Sequence, residues 1–169
     1  MSEDTGKGDL TLSRSIWHIK FARKCIEMSY VNIWVHAVWG TKNRIEILEY
    51  DLRGILCNHI KKNAIDKGFL IDTIDGYKDH LHALMSLHAD MSISKQMQLI
   101  KGESANWANK SGLFNKNLRW ADEYFAASVN ESNLDNVRAY IRGQEVHHKK
   151  LTFHEEYDRF LKHFRRNQG

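Results

Sequence analysis

Two histidines set into a strand pattern constrain this chain more than any other feature. In Asp79-His80-Leu81-His82-Ala83-Leu84-Met85 a period of two sends both imidazoles to one face of a sheet while Leu81, Ala83 and Met85 go to the other. A fold that accepts this run needs a sheet with its core on one side and a face left for chemistry on the other. The paired imidazoles on that face make a two-point clamp for a metal ion. A second stretch, Tyr140-Ile141-Arg142-Gly143-Gln144, has helical periodicity, so Tyr140 and Gln144 share one helix face. The phenol is a candidate nucleophile and the carboxamide a candidate ligand to complete the metal shell.

The remaining elements follow in chain order. From Tyr30 to Trp39, Val31, Ile33, Val35, Ala37 and Trp39 alternate with a polar-aromatic set that includes Asn32, Trp34 and His36. This predicts a first strand with one core face and one face covered by something other than ordinary core. Thr41 to Arg44 is a basic turn. Asp51 to Lys67 carries Leu52, Ile55, Leu56, His59 and Ile60 on one stripe, an amphipathic helix ended by Gly68. Phe69 to Ile74 is a second strand, Gly76 a turn, and Tyr77 to Leu87 the third strand. Ser92 or Ser94 caps a second helix, with Ile93, Met97, Ile100 and Trp107 inward, which runs to Ser111-Gly112. Arg119 to Val129 reads as a fourth strand, Asn130 to Asn133 as a polar connection, Leu134 to Lys149 as a third helix and Phe153 to Phe164 as a short last one. Gly143 is a weak point in that third helix, since an interior glycine costs ~1 kcal/mol relative to alanine.

Strand, helix, strand, strand, helix, strand is the order of a ferredoxin-like (RRM-like) α+β fold: an antiparallel sheet with two helices on one face, followed here by a C-terminal helix bearing Tyr140. The third strand then lies mid-sheet, which puts His80 and His82 near the centre of the other face. Residues 1–27 read as a poorly ordered N-terminal extension and 28–169 as one domain, with Met28 a candidate natural start. A chain of 169 residues at 42% hydrophobic content has material for one ordinary core. With 25 Lys and Arg against 21 acids the net charge is +4, a mild bias toward polyanions. Cys25 and Cys57 match no zinc or disulfide spacing, and the chain lacks both a signal-peptide pattern and an apolar run long enough to span a bilayer, so a cytoplasmic location is expected.

Asp-His-Leu-His, then Ser-Ile-Ser-Lys and Leu-Ile-Lys-Gly-Glu-Ser, then Tyr-Ile-Arg-Gly-Gln-Glu-Val-His-His-Lys-Lys, together resemble the single-tyrosine transposases of the insertion-sequence 200/605 group. That group belongs to the HUH endonucleases and includes REP-associated tyrosine transposases. The resemblance runs from Met28 to about Phe164 and includes Tyr-Val-Asn-Ile-Trp-Val-His and the Thr-Lys-Asn-Arg turn. It implies an enzyme that cleaves and rejoins single-stranded DNA at element ends or repeat hairpins. His80, His82 and Gln144 resemble the metal ligands and Tyr140 the nucleophile, which would form a 5′-phosphotyrosine. It also implies a homodimer whose nucleophile helix completes the partner's site, and a folded, hairpin-bearing single strand as partner.

A neutral ligand set leaves a divalent cation its full charge toward a phosphodiester; magnesium prefers oxygen and manganese accepts imidazole readily, so either is expected to serve. Lys42, Arg44, Lys101, Arg138, Arg142, Lys149 and Lys150 are candidate phosphate contacts, each with a solvated surface role as its alternative. Trp34 and His36 are candidates for stacking on bases. Tyr124 and Tyr157 are rival nucleophiles, disfavoured by aromatic neighbours in one case and by Glu155 and Glu156 in the other. Two other functions fit the same fold: a single-stranded nucleic-acid-binding module without catalysis, and a metal-dependent phosphodiesterase that uses water.

Overall fold

A computed structural model describes residues 31–147; the expected N-terminal extension, the helix at 153–164, and Lys149 and Lys150 lie outside them. The elements are β1 (Trp34–Gly40), α1 (Tyr50–Asp66), β2 (Ile71–Tyr77), β3 (His80–Ser86), α2 (Ile93–Ser111), β4 (Phe125–Val129), α3 (Leu134–Arg142) and the short α4 (Gln144–His147). The strands form one antiparallel sheet in the order β2-β3-β1-β4, the ferredoxin-like arrangement, with β3 and β1 in the middle. None of the described helices is long and apolar enough to cross a membrane.

The alternation works as the sequence predicts. Val35, Ala37 and Trp39 of β1 and Leu81, Ala83 and Met85 of β3 face α1 and α2, packing on Leu56, Cys57, Ile60, Ala64, Met97, Ile100 and Ala108. Burying each large aliphatic side chain contributes roughly 1.5–3 kcal/mol. Ser92 caps α2 by accepting the Lys95 amide at 3.2 Å, and Gly112, at φ 64°, ends it in the left-handed conformation that glycine adopts without penalty.

Three details differ from expectation. The buried stripe of α1 is rotated: Ile55 is half exposed whereas Arg53 is 1% exposed. The rotation is possible because Asp75 and Glu145 neutralise the guanidinium at 3.0 and 2.8 Å. β4 is shorter than predicted, since Trp120 only bridges Thr41 and sends its indole N–H to Ser104 Oγ at 3.0 Å, inside the helix layer. The third helix breaks at Gly143, whose N–H is shared between the carbonyls of Ala139 (3.0 Å) and Tyr140 (3.1 Å), so that α4 starts anew at Gln144.

α3 lies over the second face of the sheet. Leu134 and Ile141, spaced as one helix face, pack on Leu84 of β3, with Trp34, Val129, Val137 and Tyr140 around them. β2 helps to hold it. Ile71 pairs with Met85 and Thr73 with Leu84, so Asp72 is a bulge residue between two regular pairs. Its carboxylate accepts Arg138 Nε at 2.8 Å and Nη2 at 3.2 Å, while Asp135 takes Nη1 at 2.8 Å. The β2–β3 hairpin is tight at Gly76, where a Cβ would fall onto the His80 carbonyl and within 2.8 Å of Leu81 Cα. Only glycine lets β2 approach the histidine-bearing strand this closely.

Candidate active site

His80 and His82 leave the same face of β3, both fully buried, with ring centroids 5.1 Å apart. The register places Gly40 opposite His80 and Val38 opposite His82, so that Trp34, His36, Val38 and Gly40 of β1 share this face. Each histidine is held through Nδ1. His80 Nδ1 lies 2.7 Å from Asp79 Oδ1, and His82 Nδ1 lies 3.1 Å from His36 Nε2. Both Nε2 atoms are buried. Burial pushes His80 below the usual histidine range, against the hydrogen bond and charge of Asp79, and the Arg44 guanidinium lowers it further. His36 is pushed down to about 4 by burial. These imidazoles are therefore neutral near pH 7, the form in which a ring nitrogen can bind a cation.

Arg44 supports His80 from the turn after β1. Asn43 and Arg44 both take left-handed backbone angles, φ 56° and 57°, which cost non-glycine residues roughly 1–2 kcal/mol each. Thr41 pins the turn, its hydroxyl donating to the Ile45 carbonyl at 2.8 Å and its amide to the Asp79 carbonyl at 2.8 Å. The guanidinium pairs with Asp79 Oδ2 at 2.6 Å and comes within 3.4 Å of His80 Nδ1. Because Nδ1 is much closer to the carboxylate, its proton belongs to that bond. Gly40 leaves the space: a Cβ there would stand 2.5 Å from Arg44 Nη1.

Tyr140 and Gln144 come from above. The Tyr140 ring meets His82 edge-on at 5.7 Å and His36 at 6.0 Å, and is half buried. Gln144 is fully buried; its Nε2 donates to the Tyr140 carbonyl at 3.3 Å. Its Oε1 has no hydrogen bond of normal geometry among the described residues, although the carboxamide lies close enough to His80 to favour its protonated form. The Arg53–Glu145 ion pair anchors the adjoining residue of α4 to the helix layer. His80, His82, Tyr140 and Gln144 thus meet within a single chain.

Among the described residues no three His, Cys, Asp or Glu side chains are grouped to hold a metal. The donor set that fits a cation is instead mixed: the two buried imidazoles of His80 and His82 and the buried carboxamide oxygen of Gln144, a combination suited to manganese and acceptable to magnesium.

The predicted DNA contacts separate by location. Arg44 sits beside the histidines, half buried against Asp79. Lys42 pairs with Asp122 at 2.7 Å, and Lys101 donates to the carbonyls of Asp122 and Glu123. Arg138 has all three guanidinium nitrogens on Asp72 and Asp135, whereas Arg142 is exposed. His36, expected as a stacking surface, is buried beneath Tyr140, and Trp34 is half buried in the small cluster around Leu84. Sequence reasoning missed Arg53 and the contacts that Asp79 and His36 make with the Nδ1 atoms of His80 and His82. Asp79 was visible as the neighbour of His80, and His36 as a polar residue on the same strand face as the histidine pair.

Known proteins agree with this architecture. The family model described as "Transposase IS200 like" matches residues 29–144. The ISDra2 transposase TnpA of Deinococcus radiodurans is 26% identical over 115 residues, covering 64% of this chain and 81% of that protein. Two solved structures share the fold at a TM-score of 0.54. One is a D. radiodurans R1 protein described as a transposase, 21% identical, covering 69% of this chain and 95% of the other. The second is a REP-associated tyrosine transposase bound to a REP hairpin, 20% identical, covering 73% of this chain and 74% of the other. With the family pattern spanning both the histidine strand and the tyrosine helix, this chain belongs to the IS200-like transposases.

Proposed function

We propose that this transposase cuts and rejoins single-stranded DNA through a covalent link to Tyr140, with a divalent cation held by His80, His82 and Gln144. The observation that carries the reading is the convergence of one phenol, two buried imidazoles and one buried carboxamide. A non-catalytic binding module has no use for that combination.

When bound, the cation neutralises the phosphodiester and the charge that develops on it. Everything else falls to the chain. A free phenol titrates near ~10, so Tyr140 must lose its proton as it attacks. The phenolic oxygen bonds to the scissile phosphorus as the bond from phosphorus to the 3′-oxygen breaks, and the departing oxygen takes up a proton as a 3′-hydroxyl. The product is a 5′-phosphotyrosine that retains one phosphoester. A 3′-hydroxyl from another strand can reverse the step and join new DNA, with no nucleotide cofactor. Arg44, which pairs with Asp79 beside His80, would meet the same phosphate. The hairpin bound by the REP-associated relative makes a folded single strand the natural substrate to try.

The test is a labelled hairpin-bearing single strand carrying the element end, incubated with protein with and without Mn²⁺. A metal-dependent adduct that survives denaturation, and is lost in Tyr140→Phe while hairpin binding stays within a few fold, is the expected result. Cleavage without any adduct would favour a hydrolytic phosphodiesterase instead.

A further inference from the structure

We propose that His36 is the positioning residue for His82, accepting the His82 Nδ1–H on its own Nε2 and so reserving the Nε2 lone pair of His82 for a cation. This rests on the metal reading above and asks what makes His82 a ligand at all. A neutral imidazole has one lone pair, and its location is decided by the partner of the other nitrogen. For His80 that partner is the Asp79 carboxylate, at 2.7 Å from Nδ1. For His82 the Nδ1 contact is His36 Nε2 at 3.1 Å, the rings stacked 5.3 Å apart at 29°.

The contact can run in either direction. If His36 donated, the His82 proton would sit on Nε2 and block metal binding; if His82 donates, Nε2 is left basic. A buried, neutral His36 with its own proton on Nδ1 is the acceptor the second arrangement needs. The sheet makes the pairing rigid. His36 pairs with Leu84 and His82 with Val38, so the two side chains are diagonal neighbours on one face of the two central strands. His36 also forms an edge contact with Tyr140 at 6.0 Å, which places one residue against both ligand and nucleophile.

The experiment compares wild type with His36→Leu, which fills the space without an acceptor, and His36→Gln, whose carboxamide reaches about as far as Nε2. Long-range proton–nitrogen correlation spectra of the metal-free protein report the His82 tautomer. Nδ1–H in wild type and His36→Gln, with Nε2–H gaining in His36→Leu, is expected. Mn²⁺ titration calorimetry should show 10- to 100-fold weaker binding in His36→Leu, the usual cost of losing an orienting partner, and recovery to within a few fold in His36→Gln. His36→Asn, polar but too short, gives a second loss variant should the leucine protein not fold. Nε2–H on His82 in wild type overturns the proposal, as does Mn²⁺ affinity unchanged in both loss variants. If wild type binds Mn²⁺ and Gln144→Ala weakens it, that second outcome removes only the His36 assignment. A wild type that binds no Mn²⁺ removes the metal site and this proposal together.

Discussion

Arg53 is buried to 1% exposure, yet both its carboxylate partners are about a third or more exposed, Asp75 at 32% and Glu145 at 41%. That asymmetry makes a quantitative prediction. Removing one carboxylate leaves the guanidinium paired with the other, so Glu145→Ala should cost ~1 kcal/mol, the scale of a solvent-screened pair. Asp75→Ala should cost somewhat more, since Asp75 Oδ1 also accepts the Gly76 amide at 2.7 Å. Removing both leaves a buried charge without a carboxylate, facing the Leu48 carbonyl at 3.4 Å and the Tyr50 ring at 5.3 Å, and should cost roughly 3–5 kcal/mol. The double variant therefore exceeds the sum of the singles by about 1–3 kcal/mol, and its melting point falls by roughly 6–20 °C. Adding Arg53→Met to the double variant should restore much of the loss, because no charge then remains to be buried. Urea unfolding of the metal-free proteins measures all of these. Singles that add to the double within about 0.5 kcal/mol would show that Arg53 escapes to water, and the account of why α1 turns this face inward would be wrong.

Four further outcomes are expected. Gly76→Ala should cost ~3 kcal/mol or more and loosen Mn²⁺ binding, because its methyl overlaps the His80 backbone, whereas Gly54→Ala in α1, with open space around it, should gain up to ~1 kcal/mol; unfolding curves decide. His82→Ala and Gln144→Ala should both weaken Mn²⁺ binding, the histidine change more, and calorimetry showing no change in either would remove the site. With the folded pKa of His36 at about 4 against an unfolded ~6.5, its contribution to the metal-free protein is complete above ~6.5 and is lost as pH falls through 4. That loss of about 3 kcal/mol should be absent in His36→Gln. Finally, co-expressed His82→Ala and Tyr140→Phe chains separate the two possible assemblies: a site shared across a two-fold dimer restores roughly a quarter of wild-type activity, while a site complete in each chain restores none.

Most of the architecture was legible because it rests on period: Val35, Ala37 and Trp39 against His36, and Leu81, Ala83 and Met85 against His80 and His82, can be assigned to faces without coordinates. Tyr140 and Gln144 were legible as neighbours by helical spacing, although their helix turns out to be two helices with Gly143 between. What escaped was carried by residues whose usual place is the surface. Arg53 is inward only because two acids distant in sequence meet it, and Gln96 is buried because its amide reaches the Ser86 carbonyl and the His88 N–H. Such placements depend on long-range partners that no local pattern encodes. Trp120 misled for the opposite reason: an aromatic in an extended run reads as strand, but its N–H was committed to Ser104.

The bulge at Asp72 has a consequence for how this scaffold can vary. Because Ile71 and Thr73 sit in phase with Met85 and Leu84 on either side of it, Asp72 is extra to the strand's alternation. Loss of that single codon would leave every inward residue of β2 inward, and would remove the carboxylate to which Arg138 and the Thr73 hydroxyl both donate, leaving Arg138 with Asp135. The grip on the tyrosine helix can thus be tuned through the gene independently of the histidine floor beneath it.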